Sequence, residues 1–117
     1  PDHRATGHHV WQALQRAHVS GITPTPYAYE LGVQNPVNMF IDITSFAEAK
    51  SDVMDVYCSQ NSENNYPELV RSLDVGRTFS LPSEVKFAEG FYRFNNADLH
   101  DSLQQATQRI IDRYYPF

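Results

Sequence analysis

The chain has 117 residues, and 14 Asp and Glu against 9 Lys and Arg give it a formal net charge of −5. Phosphate backbones and anionic lipids repel a negative chain, so the charge argues against nucleic acid and membrane surfaces as partners. The length fits one domain over residues 1–117, and no apolar run approaches the roughly 20 residues that a membrane-spanning helix needs. Cys58 is the only cysteine of the sequence, which excludes an internal disulfide and favours a reducing, cytoplasmic location.

The first predicted element is a helix over residues 3–18. Val10, Leu14 and Ala17 follow the spacing of one buried helix face, which Trp11 and His18 widen, and Asp2 is suited to cap the N-terminus. At about 100° per residue, His3 falls on the same face as Val10. We therefore expect His3 to point toward the core.

Two strands are predicted next, at residues 27–30 and 39–43. The second is the stronger prediction, because its sequence Met-Phe-Ile-Asp-Ile is almost continuously apolar. Such a run is typical of a strand that is covered on both faces. We expect its side chains to be buried on both sides of the sheet.

Two helices follow these strands. The first is predicted over about residues 44–58, and its buried face is expected to consist of Phe46, Val53, Met54 and Tyr57. The polar residues 61–65 predict a loop. Pro67 is well placed at the first position of the next helix, which should end near Gly76.

From residue 85 the pattern changes to alternation, which predicts a strand with Glu89 on the same face as Phe87 and Phe91. A last helix is predicted over about residues 99–114. The order is therefore helix, strand, strand, helix, helix, strand, helix. Long amphipathic helices mixed with a buried strand favour an α/β layered fold.

The start of the first helix carries a candidate metal ligand. An imidazole that faces the core at this position can ligate a metal in a cleft, and the neighbouring Asp2 can orient a ligand ring. The alternative for His3 is a packed or capping histidine, which is the commoner role. His8 and His9 diverge on a helix, so we expect this pair to lie in solvent rather than to share one ion.

Two charged residues lie on predicted apolar faces. Lys50 can anchor a substrate anion, or its stem packs while the ammonium group reaches water. Glu89 lies among phenylalanines, so it either needs a partner or lies at the rim of a pocket. We retain both residues as candidate substrate-binding groups.

Four short segments of the chain are informative when they are considered together and in order. They are Pro-Asp-His-Arg-Ala-Thr-Gly at 1–7, Asp-Ile at 42–43, Lys50 with Ser-Gln at 59–60, and Ala-Glu-Gly-Phe at 88–91. Together they resemble the LmbE-like (PIG-L) superfamily of zinc-dependent N-acetylglucosaminyl deacetylases. The first segment resembles the family's His-Pro-Asp-His motif without its first histidine, and the last resembles its Ala-Glu-Ala-Phe strand.

This resemblance implies a Rossmann-like three-layer α/β/α fold, of which residues 1–117 form the C-terminal portion. It implies one Zn²⁺ that activates water to hydrolyse the acetamide of a small molecule, an N-acetylated amino sugar or its conjugate. His3 matches the position of a zinc ligand. Asp2 matches the motif's aspartate, a catalytic residue that orients neighbouring groups.

The chain departs from the family at two points. The family's Ala-His-Pro-Asp-Asp-Glu motif, which supplies the other two zinc ligands and the general base, has no counterpart here, and Tyr57 stands where many members carry histidine. We therefore expect the chain to belong to a longer deacetylase and to be inactive alone. The alternatives are a non-catalytic relative that binds a sugar or a protein partner, and a complete small interaction module. A homo-oligomer is compatible with each.

Overall fold

The computed structural model describes residues 2–30, 32 and 34–116. Its helices are α1 (Asp2–Val19), α2 (Ala47–Asp55), α3 (Cys58–Glu63), α4 (Tyr66–Gly76) and α5 (Leu103–Tyr114). Its strands are β1 (Tyr27–Tyr29), β2 (Met39–Asp42) and β3 (Ala88–Arg93), and Thr44–Phe46 and Asn96–His100 form short 3-10 helices. These elements confirm the α/β class. None of the helices in the described ranges combines the length and the apolar character that crossing a bilayer requires.

The described chain divides into two compact units. The first unit contains residues 2–28 and 93–116, and the second contains residues 29–92. Each unit has a small set of buried side chains of its own. The assignment of residues 1–117 to a single domain stays a prediction.

Trp11 is the centre of the first unit. Its side chain is buried and lies edge-on against Phe94, with a distance of 5.0 Å between ring centroids. The indole Nε1–H donates to the carbonyl oxygen of Asp101 at 3.0 Å, and the Gln15 amide donates to the same oxygen at 2.9 Å. The buried stripe of α1 therefore runs through Trp11 and Gln15, while Val10 is 52% exposed.

The last helix begins later than predicted, at Leu103. Ser102 caps it, because its hydroxyl accepts the Gln105 N–H while the Gln105 side chain accepts the Ser102 N–H. Residues 96–100 form a separate 3-10 helix before this cap. Ala106 and Ile110 are its buried residues.

The three strands form one sheet in the order β1-β3-β2. β2 and β3 run antiparallel, with Met39 opposite Phe91 and Asp42 opposite Ala88. β3 is the middle strand, and its residues Ala88 and Tyr92 are buried. β2 is consequently an edge strand.

The prediction that the Met39–Asp42 strand is covered on both faces is wrong. Phe40 is 37% exposed and Ile41 is 43% exposed. The physical reason is that the two faces of a strand are covered by elements packed above and below the sheet, and none of the described helices packs extensively on β2. The apolar sequence predicts a strand here but does not predict its place in the sheet.

The buried face predicted for the second helix is also largely wrong. Phe46, Val53 and Tyr57 are more than half exposed, and Met54 is partly buried. α2 packs against α4 through the neighbouring face, which carries Lys50 and Met54. The helix is rotated because Lys50 reaches two carboxylates on other elements.

Residues 58–63 form helix α3, whereas a loop was predicted over residues 61–65. The Asn61 amide donates to the carbonyl oxygen of Met54 at 2.9 Å, which ties α3 to the last turn of α2. Tertiary hydrogen bonds of this kind override a weak local propensity. The next helix ends at Gly76 as predicted, but it begins at Tyr66, so Pro67 is its second residue rather than its first.

Candidate functional site

Lys50 connects three elements of the second unit. Its Nζ lies 2.7 Å from Asp74 Oδ2 and 2.6 Å from Glu89 Oε1. The lysine comes from α2 and the carboxylates from α4 and β3. We call these three residues the Lys50 cluster. Each contact is a charge-assisted hydrogen bond, the stronger class of hydrogen bond in proteins.

Local geometry directs each side chain of the Lys50 cluster. Successive residues of a strand point to opposite faces, so Glu89 points away from the face on which its neighbours Ala88 and Gly90 are buried. On α4, Asp74 follows Val70 by one turn and therefore lies on the helix face that is turned inward. Packing of α2 against α4 brings the lysine to both carboxylates.

The cluster carries two negative charges and one positive charge. Burial raises the pKa of the Asp74 carboxyl, although the hydrogen bond and the charge of Lys50 act in the opposite direction. Burial also acts to lower the pKa of Lys50, but the hydrogen bonds and charges of the two carboxylates outweigh it and raise this pKa above its ordinary value. Lys50 is therefore a cation at neutral pH, which excludes it as a general base.

A cavity of about 120 Å³ adjoins the cluster. Its lining includes Tyr29, Glu30, Lys50, Asp74, Glu89 and Phe91. The walls thus combine carboxylates, one ammonium group and two aromatic rings, a mixture that suits a small polar ligand. Both alternatives considered for Glu89 are met, since it has a partner in Lys50 and also lines a pocket.

A second ion pair contributes to the same cavity. The Arg77 guanidinium donates to both carboxylate oxygens of Glu30, and the Asn35 N–H donates to Glu30 Oε1 at 2.6 Å. A Cβ atom at Gly90 would lie 2.9 Å from Glu30 Oε2 and 3.1 Å from Arg77 Nε. Glycine at this position leaves the space that the ion pair occupies.

Asp2 and His3 lie in the first turn of α1, in the first unit. Both side chains are exposed, so the prediction that His3 points toward the core is wrong. The buried stripe passes through Trp11, and His3 lies about 80° around the helix from it. Pro1 of the same motif lies outside the described residues. Within the described ranges, no group of three or more His, Cys, Asp and Glu side chains is placed to hold a metal ion.

Asp74 was absent from the sequence-based candidates, although the sequence contains a signal for it. It interrupts the apolar stripe of its helix beside Val70 and Leu73, and a carboxylate on such a stripe requires a partner. Lys50 on the inner face of the neighbouring helix is the matching signal. Two opposite charges on two apolar stripes therefore predict that the helices meet there.

Comparison of the chain with models of protein families, with curated proteins and with solved structures finds no match. A function is therefore inferred from the residues themselves. The Lys50 cluster and its cavity are the strongest basis for that inference.

Replacing Lys50 with Met removes the cation and leaves Asp74 and Glu89 without a counter-charge. The Lys50 and Asp74 side chains are 27% and 11% exposed, so water screens the charges only in part. We expect the free energy of unfolding to fall by about 2–4 kcal/mol, measured by urea denaturation. The matched control is Lys86→Met, at an exposed lysine, with an expected change below about 0.5 kcal/mol. Adding Asp74→Asn to Lys50→Met should restore part of the loss, and equal stability of the two lysine variants would contradict the prediction.

The raised pKa of Asp74 predicts a specific pH dependence. The ordinary pKa of this carboxyl is 3.8, and the folded state keeps the proton to a higher pH. At pH values between the ordinary pKa and the raised pKa of the folded state, the folded chain binds more protons than the unfolded chain. The contribution of Asp74 to the free energy of unfolding therefore falls as the pH rises. The difference in unfolding free energy between the native chain and Asp74→Asn should therefore decrease from pH 3.8 upward and then level off. Urea denaturation at a series of pH values measures this difference, and an increase with pH would be the contrary result.

Proposed function

We propose that this chain is part of a zinc-dependent hydrolytic deacetylase of the LmbE-like type, which acts on an N-acetylated amino sugar or its conjugate. The observation that carries the proposal is the contact between Lys50 and Glu89. These residues belong to two of the four segments that resemble the family, and their charged groups meet at 2.6 Å although 39 positions separate them. Two motif positions that meet in space support the resemblance more strongly than their order in the sequence does.

The cavity beside the Lys50 cluster supports a sugar as the ligand class. Asp74 and Glu89 each bond to Lys50 through one oxygen, so the second oxygen of each carboxylate can accept a hydrogen bond from a hydroxyl group. An ammonium group has three N–H donors, of which the cluster engages two. Tyr29 and Phe91 add aromatic surface. This set matches a hydroxylated ring with one apolar face.

His3 is the zinc ligand that we propose within this chain, and Asp2 is the catalytic residue that supports it. Zinc, when bound, supplies an activated water and stabilises the oxyanion of an amide in hydrolysis. A catalytic zinc takes three protein ligands, and the described residues contain no such group. The described residues therefore do not make up a complete zinc site, and we propose that the remaining ligands and the general base lie elsewhere in the protein.

The proposal includes a fold and a location. The described sheet would be the C-terminal part of a Rossmann-like three-layer α/β/α fold. The location would be cytoplasmic, which the free, exposed thiol of Cys58 supports. The partner would be a small molecule rather than nucleic acid or a membrane surface, in agreement with the net charge of −5.

Zinc loading tests the proposed function. The full-length protein, stripped with a chelator and reloaded, should bind about one zinc per chain and release acetate from an N-acetylglucosamine conjugate. His3→Ala should weaken zinc binding by at least about tenfold and abolish acetate release, because it removes a ligand. His9→Ala, at an exposed histidine of the same helix, should retain both. Equal zinc binding by the two variants would exclude His3 as a ligand, and sugar binding without acetate release would favour the non-catalytic alternative.

Glu89→Gln tests the proposed sugar contact. The amide keeps the shape of the side chain but loses the charge, and a hydrogen bond to a charged group contributes about 1.5–3 kcal/mol. We expect KM for the acetylated substrate to rise about 10–100-fold with little change in kcat. Steady-state acetate release measures both constants. Glu84→Gln, at an exposed glutamate, is the control, and a loss confined to kcat would count against a binding role.

A further inference from the structure

The cavity beside the Lys50 cluster has an excess of negative charge. Among the described residues of its wall, Glu30, Asp74 and Glu89 carry carboxylates and Lys50 carries an ammonium group. The Arg77 guanidinium neutralises Glu30, because it donates to both oxygens of that carboxylate. Asp74 and Glu89 share Lys50 as their cation. One negative charge of the described wall is therefore left without a counter-charge.

The ionisation of Asp74 reflects this imbalance of charge. Burial raises the pKa of the Asp74 carboxyl, and the charges of Glu89 and Glu30 act in the same direction. The hydrogen bond and the charge of Lys50 oppose them but leave this pKa above its ordinary value. A positive group in the cavity would favour the ionised form of Asp74. The charge distribution thus suits a cationic ligand better than a neutral one.

The cavity also offers the contacts that an ammonium ligand needs. Asp74 and Glu89 reach the same Nζ, so their carboxylates lie close together, and both residues line the cavity. An ammonium group has three N–H donors, so it can donate to both carboxylates at once. The rings of Tyr29 and Phe91 in the same wall attract a cation through their π-faces. An acetamide has a single N–H and no charge.

We propose that this cavity binds an amino sugar with a free ammonium group more tightly than the acetylated form of the same sugar. Hydrolysis of an acetamide consumes one water and yields acetate and an amine, and such an amine takes up a proton near neutral pH. The preferred ligand is then the product of the proposed deacetylation, and only this identification rests on the proposed function. Product that accumulates competes with the substrate for the cavity.

Binding to the full-length, zinc-free protein tests the preference without ligation of the amine by zinc. Isothermal titration calorimetry at about pH 6.5 compares glucosamine, which is then a cation, with N-acetylglucosamine. We expect glucosamine to bind about tenfold more tightly, because its hydrogen bonds join two charged groups. Added sodium chloride should reduce this ratio, since salt screens the charges. Equal binding of the two sugars, no binding of glucosamine, or a ratio that salt leaves unchanged would overturn the proposal.

Glu89→Gln tests whether the preference belongs to this cavity. The amide oxygen can still accept from Lys50, but the excess negative charge is lost, so the ratio of the two dissociation constants should fall to about one. Glu84→Gln, at an exposed glutamate, should keep the ratio of the unmodified protein. Circular dichroism checks that both variants fold. An unchanged ratio in Glu89→Gln would place the amine elsewhere and exclude the cavity.

This inference and the deacetylase proposal fail in different experiments. A zinc-loaded protein that releases no acetate, while the zinc-free protein prefers glucosamine, would refute the activity and leave the binding preference intact. Acetate release that added glucosamine does not inhibit competitively would refute the binding preference alone.

Discussion

The ammonium group of Lys50 is the contact on which the second unit depends. It bonds to α4 through Asp74 and to β3 through Glu89, so one side chain joins two helices and the middle strand. Desolvation of a carboxylate is costly unless a cation compensates it. The position of Asp74 in the interior therefore requires Lys50, and Lys50 in turn fixes the rotation of α2. Because of this rotation, the apolar stripe that contains Phe46 and Val53 is exposed.

The Lys50 cluster has a structural role, and the sugar-binding role that we propose for it depends on that structural role. As an ion pair it adds little net stability, because the desolvation of the charges offsets most of their attraction. Its larger effect is on orientation, because Lys50 holds the carboxylates of Asp74 and Glu89 in place at the wall of a cavity. A binding site gains affinity when its polar groups are ordered before the ligand arrives. The excess of one carboxylate leaves hydrogen-bond acceptors for a ligand.

Periodicity in the sequence predicted the helices and strands better than it predicted which elements they pack against or pair with. The helix starting at residue 3, the helix after Pro67 and the strand around Glu89 follow from spacing alone. The exposure of Ile41 does not follow, because an apolar run has the same appearance in a central strand and in an edge strand. The rotation of α2 does not follow either, since two long-range ion pairs decide it.

The candidate site residues show the same difference between what local pattern predicts and what packing decides. Lys50 and Glu89 were recognised because a charge on an apolar stripe needs a partner, although the sequence does not tell that each is the other's partner. Asp74 carries the same signal. His3 was assigned to the inner face from the position of Val10, but Trp11, which only widened the predicted stripe, is the buried residue of α1. Periodicity predicted the stripe but not which margin of it is buried.

The glycine at position 90 has an evolutionary consequence. A Cβ atom at this position would lie 2.9 Å from Glu30 Oε2 and 3.1 Å from Arg77 Nε, so the ion pair would have to shift to make room for a side chain. Chains that carry a larger residue at this position should therefore lack one or both charges of that pair.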